Sequence, residues 1–448
     1  MPALRGLSTV VLLMALGVVA LAAPKPNIVV FLGDDHSALD SEAYGATDVR
    51  TPNLRRLASE GLLFTHAFVA SPSCAPSRAA LLTGLMPARN GAEPNHAKPR
   101  AEIKKLPAYL QELGYEVVAF GKVSHYKHTV DYGFDHFALD GFHQHASIPA
   151  ALKFLRERRS GKPLCIFVGS NWPHVPWPEQ SEGYDTNRLA LPATHANTAE
   201  THRARARYYS AVTRMDDQLG QVLDTARQTL GTNTVILHTS DHGAQFPFAK
   251  WNCYDAGLRV SLLVSWPGMI SPGTRTDAMV SWVDLLPTFV EIAGGRAPTN
   301  LDGRSFAAVL TGQTNAHRDR IFATHSGDGN MNVYPIRSLR TRDWHFILNL
   351  HPEFSFHTHI DLARADTGYW GSWTNAATTN AHAAALVRRY HRRPAEELYD
   401  VRRDPLETNN LAALPEHAAR VKAMREELET WMRDQGDTRR VFGEPRKL

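Results

Sequence analysis

The residue best suited to catalysis is Cys74, in the segment Cys74-Ala-Pro76-Ser-Arg78-Ala-Ala-Leu-Leu-Thr-Gly84. Pro76 suits the first turn of a helix, and the alanines and leucines after it propagate one, so we expect Cys74 at a helix N-terminus. The helix dipole and the free N–H groups there favour a bound anion such as sulfate. A lone free cysteine is more often a small buried hydrophobic residue. The surrounding pattern must therefore carry the functional interpretation.

Polar residues that could act with Cys74 follow four short apolar runs, each typical of a β-strand. The runs cover residues 28–32, 117–120, 164–168 and 235–239, and after them come Asp34 and Asp35, Lys122 and His125, His174, and Asp241 and His242. Helical patterns lie between the runs, for example at 53–60, 106–113 and 204–230. This alternation predicts an α/β fold with a large, mostly parallel sheet flanked by helices. Such sheets bind ligands beyond the carboxyl ends of their strands, so we expect the four clusters to meet in one active site.

Asp34, Asp35, Asp241 and His242 are the candidate metal ligands. An adjacent pair of aspartates can simply cap a loop. Carboxylates that meet at two strand ends, however, repel each other unless a cation lies between them. Oxygen ligands favour Ca²⁺ or Mg²⁺, whereas the imidazole of His242 is a less natural ligand for such hard ions.

The segment around Cys74 resembles the signature of the sulfatases, Cys-x-Pro-Ser-Arg followed by Leu-Thr-Gly. The resemblance implies the alkaline-phosphatase-like α/β fold. It also implies that a formylglycine-generating enzyme oxidises Cys74 to formylglycine (3-oxoalanine), an aldehyde whose hydrate is the nucleophile. One Ca²⁺ ion, preferred over Mg²⁺, is then held by Asp34, Asp35, Asp241, His242 and the residue at position 74.

Residues 114–125 resemble the second sulfatase signature, which implies that Lys122 and His125 belong to the site. Taken alone, these two residues would instead be solvated loop residues. His174 matches the Pro-His-x-Pro loop of the family, and Lys250 stands where the family has a sulfate-binding lysine or arginine.

The resemblance also implies a role for each of these side chains. Lys122 and Lys250 offset the charge on the sulfuryl oxygens, and His174 protonates the leaving group. Arg78 orients the hydrate, and His125 accepts the proton whose loss expels sulfate.

Two phrases of the C-terminal region narrow the resemblance. Tyr334-Pro-Ile-Arg-Ser338 and the stretch 397–411 resemble the branch of the family that hydrolyses N-sulfated glucosamine. The implied substrate is a sulfated saccharide, preferably N-sulfoglucosamine. Bacterial members of this branch also act on O-sulfated polysaccharides, so an O-sulfatase stays open. A phosphonate or phosphate ester hydrolase of the same superfamily, and a glycan-binding protein in which Cys74 is never oxidised, are further alternatives.

The N-terminus has a different character from the rest of the chain. Arg5 precedes an uncharged apolar run at 10–21 that closes in Ala20-Leu-Ala22, a pattern typical of a secretory signal peptide. The run is shorter than the roughly 20 residues of a membrane span, although an uncleaved anchor is the alternative. We therefore expect residues 1–22 to be a signal peptide and the protein to be periplasmic or secreted.

Bulk properties set further bounds. The net charge of +4 comes without a basic block, which argues against a nucleic-acid partner. With three cysteines in the chain we expect no disulfide framework.

A chain of 448 residues is long enough for more than one core. The pattern changes after residue 318 to a hairpin at 336–348, a strand at 397–400 and a helix at 415–433. We expect a catalytic domain at 23–318 and a smaller α+β domain at 319–448. A monomer and a homodimer both stay open.

Overall fold

The computed structural model describes residues 24–141, 144–362 and 368–448. The predicted signal peptide lies outside these residues. Within the described ranges, no helix is both long enough and apolar enough to cross a bilayer. All three cysteines of the chain are buried free thiols.

The strands follow one another as listed here in chain order. They are β1 (Asn27–Gly33), β2 (Leu62–Phe64), β3 (Ala67–Phe68), β4 (Glu116–Gly121), β5 (His136–Ala138), β6 (Leu164–Gly169), β7 (Thr234–Ser240), β8 (Arg259–Val260), β9 (Leu262–Ser265), β10 (Thr274–Thr276), β11 (Val280–Ser281), β12 (Ile321–His325), β13 (Ile336–Arg340), β14 (Trp344–Asn349) and β15 (Glu396–Asp400).

The large sheet has the order β10-β2-β9-β7-β1-β6-β4-β5. At its centre β1 pairs in parallel with both β6 and β7, and β4 pairs in parallel with β6. Only β9 runs antiparallel to its neighbours in this sheet. The predicted fold class is thus confirmed, and the four predicted strands are β1, β4, β6 and β7.

Both faces of the large sheet are covered. Alternate residues of β1 enter two different cores, with Val30 and Leu32 on one face and Val29 and Phe31 on the other. Burial on both faces explains why the strands of a parallel sheet read as continuous apolar runs.

The helices that cover the sheets are likewise given in chain order. They are α1 (Pro52–Glu60), α2 (Cys74–Thr83), α3 (Pro87–Asn90), α4 (Leu106–Glu112), α5 (Ser147–Glu157), α6 (Ala199–Leu230), α7 (Asp255–Leu258), α8 (Leu285–Ile292), α9 (Ala307–Leu310), α10 (His359–Leu362), α11 (Trp370–Ala376), α12 (Ala381–His391) and α13 (Ala418–Asp434). Short 3₁₀ turns lie at Ala38–Asp40, Glu42–Tyr44, Tyr126–Asp131, Trp282–Asp284 and Pro415–His417.

Helix α6 begins five residues before the predicted start at 204. Thr198 explains the difference, because its side chain accepts a hydrogen bond from the backbone N–H of Thr201 and so caps the helix. The apolar pattern begins only after this cap, so it locates the packed face of α6 rather than its first turn.

The C-terminal part contains an antiparallel sheet, β12-β13-β14-β15, against which α13 packs. The predicted hairpin is β13 and β14, and the strand predicted at 397–400 is β15. Buried polar contacts join this part to the large domain: Arg340 forms an ion pair with Asp255, and the hydroxyl of Tyr254 donates to Glu397 at 2.7 Å. The boundary at 318 stays a prediction.

Candidate active site

Asp34 and Asp35 leave the end of β1 side by side but contact different lysines. Asp34 accepts a hydrogen bond from the ammonium of Lys122 at 2.5 Å. Asp35 accepts from the ammonium of Lys250, with its two oxygens 2.9 and 2.8 Å away. Asp35 has a φ of 67°, in the left-handed region, where Asp is among the few residues tolerated. Its conformation separates the two carboxylates so that each meets its own partner.

Cys74 is the first residue of α2, as predicted, and its side chain is buried. Its sulfur lies 3.3 Å from Nε2 of His242, 3.6 Å from Nζ of Lys122 and 3.9 Å from Oδ1 of Asp34. Burial raises the pKa of the Cys74 thiol, and the two lysine charges oppose this shift only in part. The unmodified thiol is therefore protonated at neutral pH and is a poor nucleophile.

Arg78 lies one turn further along α2 and contacts residues that follow three different strands of the large sheet. Its Nε donates to Asp241 at 2.9 Å and its Nη2 donates to Asp34 at 3.1 Å, while Nη1 donates to the carbonyl of Lys122. Burial alone would raise the pKa of Asp241, but the charges of Arg78 and Lys122, together with His242, outweigh it and hold that pKa well below its usual range. Asp241 is accordingly ionised.

Four of the five predicted metal ligands form one group. Asp35, Cys74, Asp241 and His242 each offer a donor atom, and these atoms lie within 4.8 Å of one another. The buried carboxylates suit a divalent cation, which would offset their mutual repulsion. Burial raises the pKa of Asp35, and the Lys250 charge opposes this shift only in part.

Asp34, the fifth predicted ligand, lies outside that group but not far from it. Its carboxylate contacts Lys122, Arg78 and the sulfur of Cys74. The structure thus places the other four predicted ligands around the sulfur of Cys74, with Asp34 held by cationic side chains.

His125 and His174 approach the site from two loops. Nε2 of His125 lies 2.8 Å from Nδ1 of His96, and burial together with the Lys122 charge lowers the pKa of His125 to about 2. Nδ1 of His174 lies 2.6 Å from the carbonyl of Val175. Burial lowers the pKa of His174 well below its usual value, and the charges of Lys250 and Lys122 lower it further. Both rings are therefore neutral.

The sequence analysis missed three residues that support this site, Asn95, His96 and Asp328. Asn95 accepts a hydrogen bond from the N–H of Ala75 at 3.0 Å and donates to Asp328 at 3.0 Å. Asp328 also lies 3.0 Å from Nε2 of His96 and accepts from the indole of Trp251 at 2.8 Å. A chain of contacts therefore runs from Asp328 through His96 to His125.

Asp328 follows β12, a strand of the antiparallel sheet, and the rule that ligands bind beyond the carboxyl ends of parallel strands does not apply there. Asp328 therefore has no strand-end signal in the sequence. Asn95 and His96 lie in the loop after α3 and carry no such signal either.

The sulfatase family model matches residues 26–295, and a model of the C-terminal region of N-sulphoglucosamine sulphohydrolase matches residues 242–365. An ulvan-active sulfatase of Formosa agariphila is 31% identical, covering 92% of this chain and 81% of the relative. The human N-sulphoglucosamine sulphohydrolase is 29% identical, covering 92% of this chain and 91% of the relative.

A solved structure gives the same fold. It is of a protein in complex with its substrate D-glucosamine-2-N,6-O-disulfate, and it superposes with a TM-score of 0.70 at 19% identity, covering 92% of this chain and 99% of that one. At this identity the likeness concerns the fold alone.

Proposed function

This chain belongs to the sulfatase family and is a sulfatase, and on that premise we propose that it removes sulfate from a saccharide, preferably the N-sulfate of glucosamine. The observation that carries the proposal is the position of Cys74. It starts a buried helix, and its sulfur has Nε2 of His242 at 3.3 Å and the ammonium of Lys122 at 3.6 Å.

The proposal includes oxidation of Cys74 to formylglycine by a formylglycine-generating enzyme. The complete Cys-x-Pro-Ser-Arg pattern supports this, and so does the raised pKa of the buried thiol, which makes the unmodified side chain unreactive. The hydrated aldehyde supplies a hydroxyl nucleophile at a position where a thiol is held protonated.

Asp34, Asp35, Asp241 and His242 would hold a Ca²⁺ ion together with the residue at position 74. The three carboxylates favour Ca²⁺, and the imidazole is the one donor that suits it less. The ion would supply positive charge next to the sulfuryl oxygens.

Lys122 and Lys250 provide positive charge from the protein itself. Both ammonium groups are buried, and each is paired with one of the two adjacent aspartates. In a dry site such charges act strongly on an anionic substrate, because water does not screen them. We propose that the two lysines bind the sulfuryl oxygens of the substrate and offset their negative charge.

His174 is the proposed proton donor to the leaving group. Because the carbonyl of Val175 can only accept, Nδ1 of His174 carries the proton in the neutral ring. Donation from Nε2 then requires the doubly protonated ring. The negative charge of a bound sulfate offsets Lys250 and Lys122, which lower the His174 pKa, so substrate binding shifts that pKa upward.

His125 is the proposed acceptor for the proton released when sulfate departs. The same substrate charge offsets Lys122 and raises the pKa of His125, the direction that a proton acceptor needs.

The proposed preference for an N-sulfate over an O-sulfate rests on the similarity to the human relative and on the match to the C-terminal family model. The test is a panel of glucosamine N-sulfate, glucosamine 6-O-sulfate, sulfated ulvan fragments and an aryl sulfate, compared by kcat/KM. We expect the highest value for the N-sulfate. Turnover of O-sulfated substrates with none of the N-sulfate would assign the enzyme to the O-sulfatases, for which the ulvan-active relative is the supporting observation.

A matched pair of an aryl sulfate and an aryl phosphonate tests the alternative chemistry. We expect the sulfate ester to be the better substrate, and a higher kcat/KM for the phosphonate would overturn the assignment.

We also propose that the protein is exported to the periplasm or secreted, because residues 1–22 have the pattern of a signal peptide. N-terminal sequencing of the mature protein from its native host tests this. A start near residue 23 is expected, and an N-terminus at Met1 would contradict cleavage.

A further inference from the structure

Three side chains on the rim of the C-terminal part lie together outside the catalytic site. These are His357, Asp361 and His391, which we call the His357 cluster. Each offers one ligand atom, and the three atoms lie within 4.8 Å of one another. His357 and His391 are partly exposed and Asp361 is buried, so an ion could reach the cluster from solvent.

The cluster joins two separate parts of the chain. His357 lies just before α10 and Asp361 lies within it, whereas His391 is the last residue of α12. Nδ1 of His357 lies 2.6 Å from Oδ2 of Asp361, and the rings of His357 and His391 have centroids 4.8 Å apart.

Neighbouring groups orient the possible ligands. Oδ1 of Asp361 accepts from the N–H of Thr358 at 2.8 Å and from the hydroxyl of Tyr390 at 3.1 Å. Nδ1 of His391 lies 2.9 Å from the carbonyl of Phe356, which selects the tautomer with a lone pair on Nε2. Outer hydrogen bonds of this kind fix the ring tautomer and the carboxylate orientation at metal sites.

We propose that the His357 cluster is a second metal site, distinct from the catalytic one, and that it binds Zn²⁺. Two imidazoles and one carboxylate form a donor set that suits Zn²⁺ better than Ca²⁺, and three protein ligands leave a position for water. Tetrahedral ligands at about 2.1 Å from zinc lie about 3.4 Å apart. The cluster has to open slightly at the 2.6 Å contact between His357 and Asp361.

An ion here would connect the end of α12 to the segment that carries His359. His359 lies two residues from His357, its ring stacks on Trp251 at 5.3 Å, and its Nε2 lies 3.6 Å from Oδ2 of Asp328. Binding is therefore expected to slow hydrogen exchange in residues 354–361, next to the wall of the active site.

Zinc binding can be measured without reference to turnover. Tag-free full-length protein, saturated with Ca²⁺, is titrated with Zn²⁺ and the bound metal is counted by elemental analysis after gel filtration. We expect one zinc per chain in the wild type and in Cys74→Ala, which alters the catalytic group, but none in His357→Gln or His391→Ala. Zinc that is lost in Cys74→Ala and kept in both histidine variants would overturn the proposal.

Two further variants show whether a loss of zinc could be caused by misfolding. Tyr390→Phe keeps all three ligands but removes one hydrogen bond to Asp361, so we expect zinc affinity to fall about 10-fold. His351→Ala is the matched control, because His351 also pairs with a carboxylate, Glu353 at 2.9 Å, but the described part of the chain offers no third ligand there. It should bind zinc as the wild type does. Equal affinities in wild type, His357→Gln and Tyr390→Phe would show that the cluster is only a set of hydrogen bonds.

Discussion

The sulfur of Cys74 lies 3.3 Å from Nε2 of His242, although the two residues are 168 positions apart in the chain. One starts the buried helix α2 and the other follows the central strand β7. Their contact brings the predicted nucleophile and a predicted metal ligand into one place.

Replacing Cys74 by alanine or by serine should abolish turnover, because neither side chain can form the aldehyde hydrate. The fold should remain, since both residues fit a buried position at the start of a helix. Mass spectrometry of the peptide that carries position 74 should find the aldehyde in the active wild type. Full activity in protein that carries only the thiol would contradict the mechanism.

Removing the metal should remove activity. Dialysis against a chelator is expected to inactivate the wild type, and Ca²⁺ should restore it better than Mg²⁺. Asp241→Asn should lose the metal as well, because it removes a carboxylate charge from the ligand group. The measurement is metal content alongside kcat/KM, and an active enzyme without a divalent ion would refute the prediction.

His174→Ala should distinguish substrates by their leaving groups. The amine of a sulfamate must be protonated to depart, whereas the phenolate of an activated aryl sulfate leaves unaided. We expect a loss of about 100-fold or more in kcat/KM for glucosamine N-sulfate and a much smaller loss for the aryl sulfate. Equal losses on both substrates would remove His174 from the acid role.

Asp328→Asn tests the support of His125 by the C-terminal part. Asp328 is buried and lies 3.0 Å from His96, which in turn contacts His125. Hydrogen bonds to a charged group contribute about 1.5 to 3 kcal/mol, so we expect kcat/KM to fall about 10- to 100-fold with bound metal unchanged. Asp277→Asn, which removes an exposed carboxylate paired with Arg342, is the control and should have little effect.

Acid should weaken the fold partly through Asp284. This buried carboxylate accepts from Nε of Arg318 at 2.7 Å and from the N–H groups of Ser281 and Arg304 at 2.9 and 2.8 Å. Burial alone would raise its pKa, but Arg318 and His317 outweigh that effect and hold it well below the usual range. Asp284 therefore stabilises the folded state above the unfolded pKa of about 4, and this contribution declines as the pH falls below that value.

Urea unfolding of wild type and Asp284→Asn measures that contribution. At pH 7 the variant should be less stable by about 3 kcal/mol, because breaking a buried ion pair leaves Arg318 uncompensated. The gap should narrow below about pH 4. A gap that stays constant from pH 7 to pH 3.5 would contradict the assignment.

The sequence was informative where one physical rule places distant residues together. Parallel strands end at the same edge of a sheet, so Asp34, Lys122, His174 and Asp241 could be assigned to one site from their positions after apolar runs. The rule does not say which carboxylate meets which cation. The pairing of Lys250 with Asp35 depends on the path of the loop after β7, which no periodic pattern describes.

The contribution of the second domain was beyond such a rule. Asp328 and Asn95 are 233 positions apart, and their contact exists only because the two parts pack in one particular way. That packing depends on buried polar pairs such as Arg340 with Asp255, whose side chains look like ordinary surface residues in the sequence. The helix that starts at Cys74 was predictable, whereas its surroundings were not.

The complete burial of α2 has a consequence for the order of events in biogenesis. Every residue from Cys74 to Thr83 is inaccessible in the folded chain. An enzyme that has to bind this peptide in order to oxidise its cysteine cannot do so after folding unless the protein unfolds. If formylglycine forms, it must form on the nascent or newly exported chain. Folding then buries the segment and prevents later oxidation. A molecule that folds before oxidation would be well packed but inactive. The fraction of active protein would therefore depend on the rate of oxidation relative to the rate of folding.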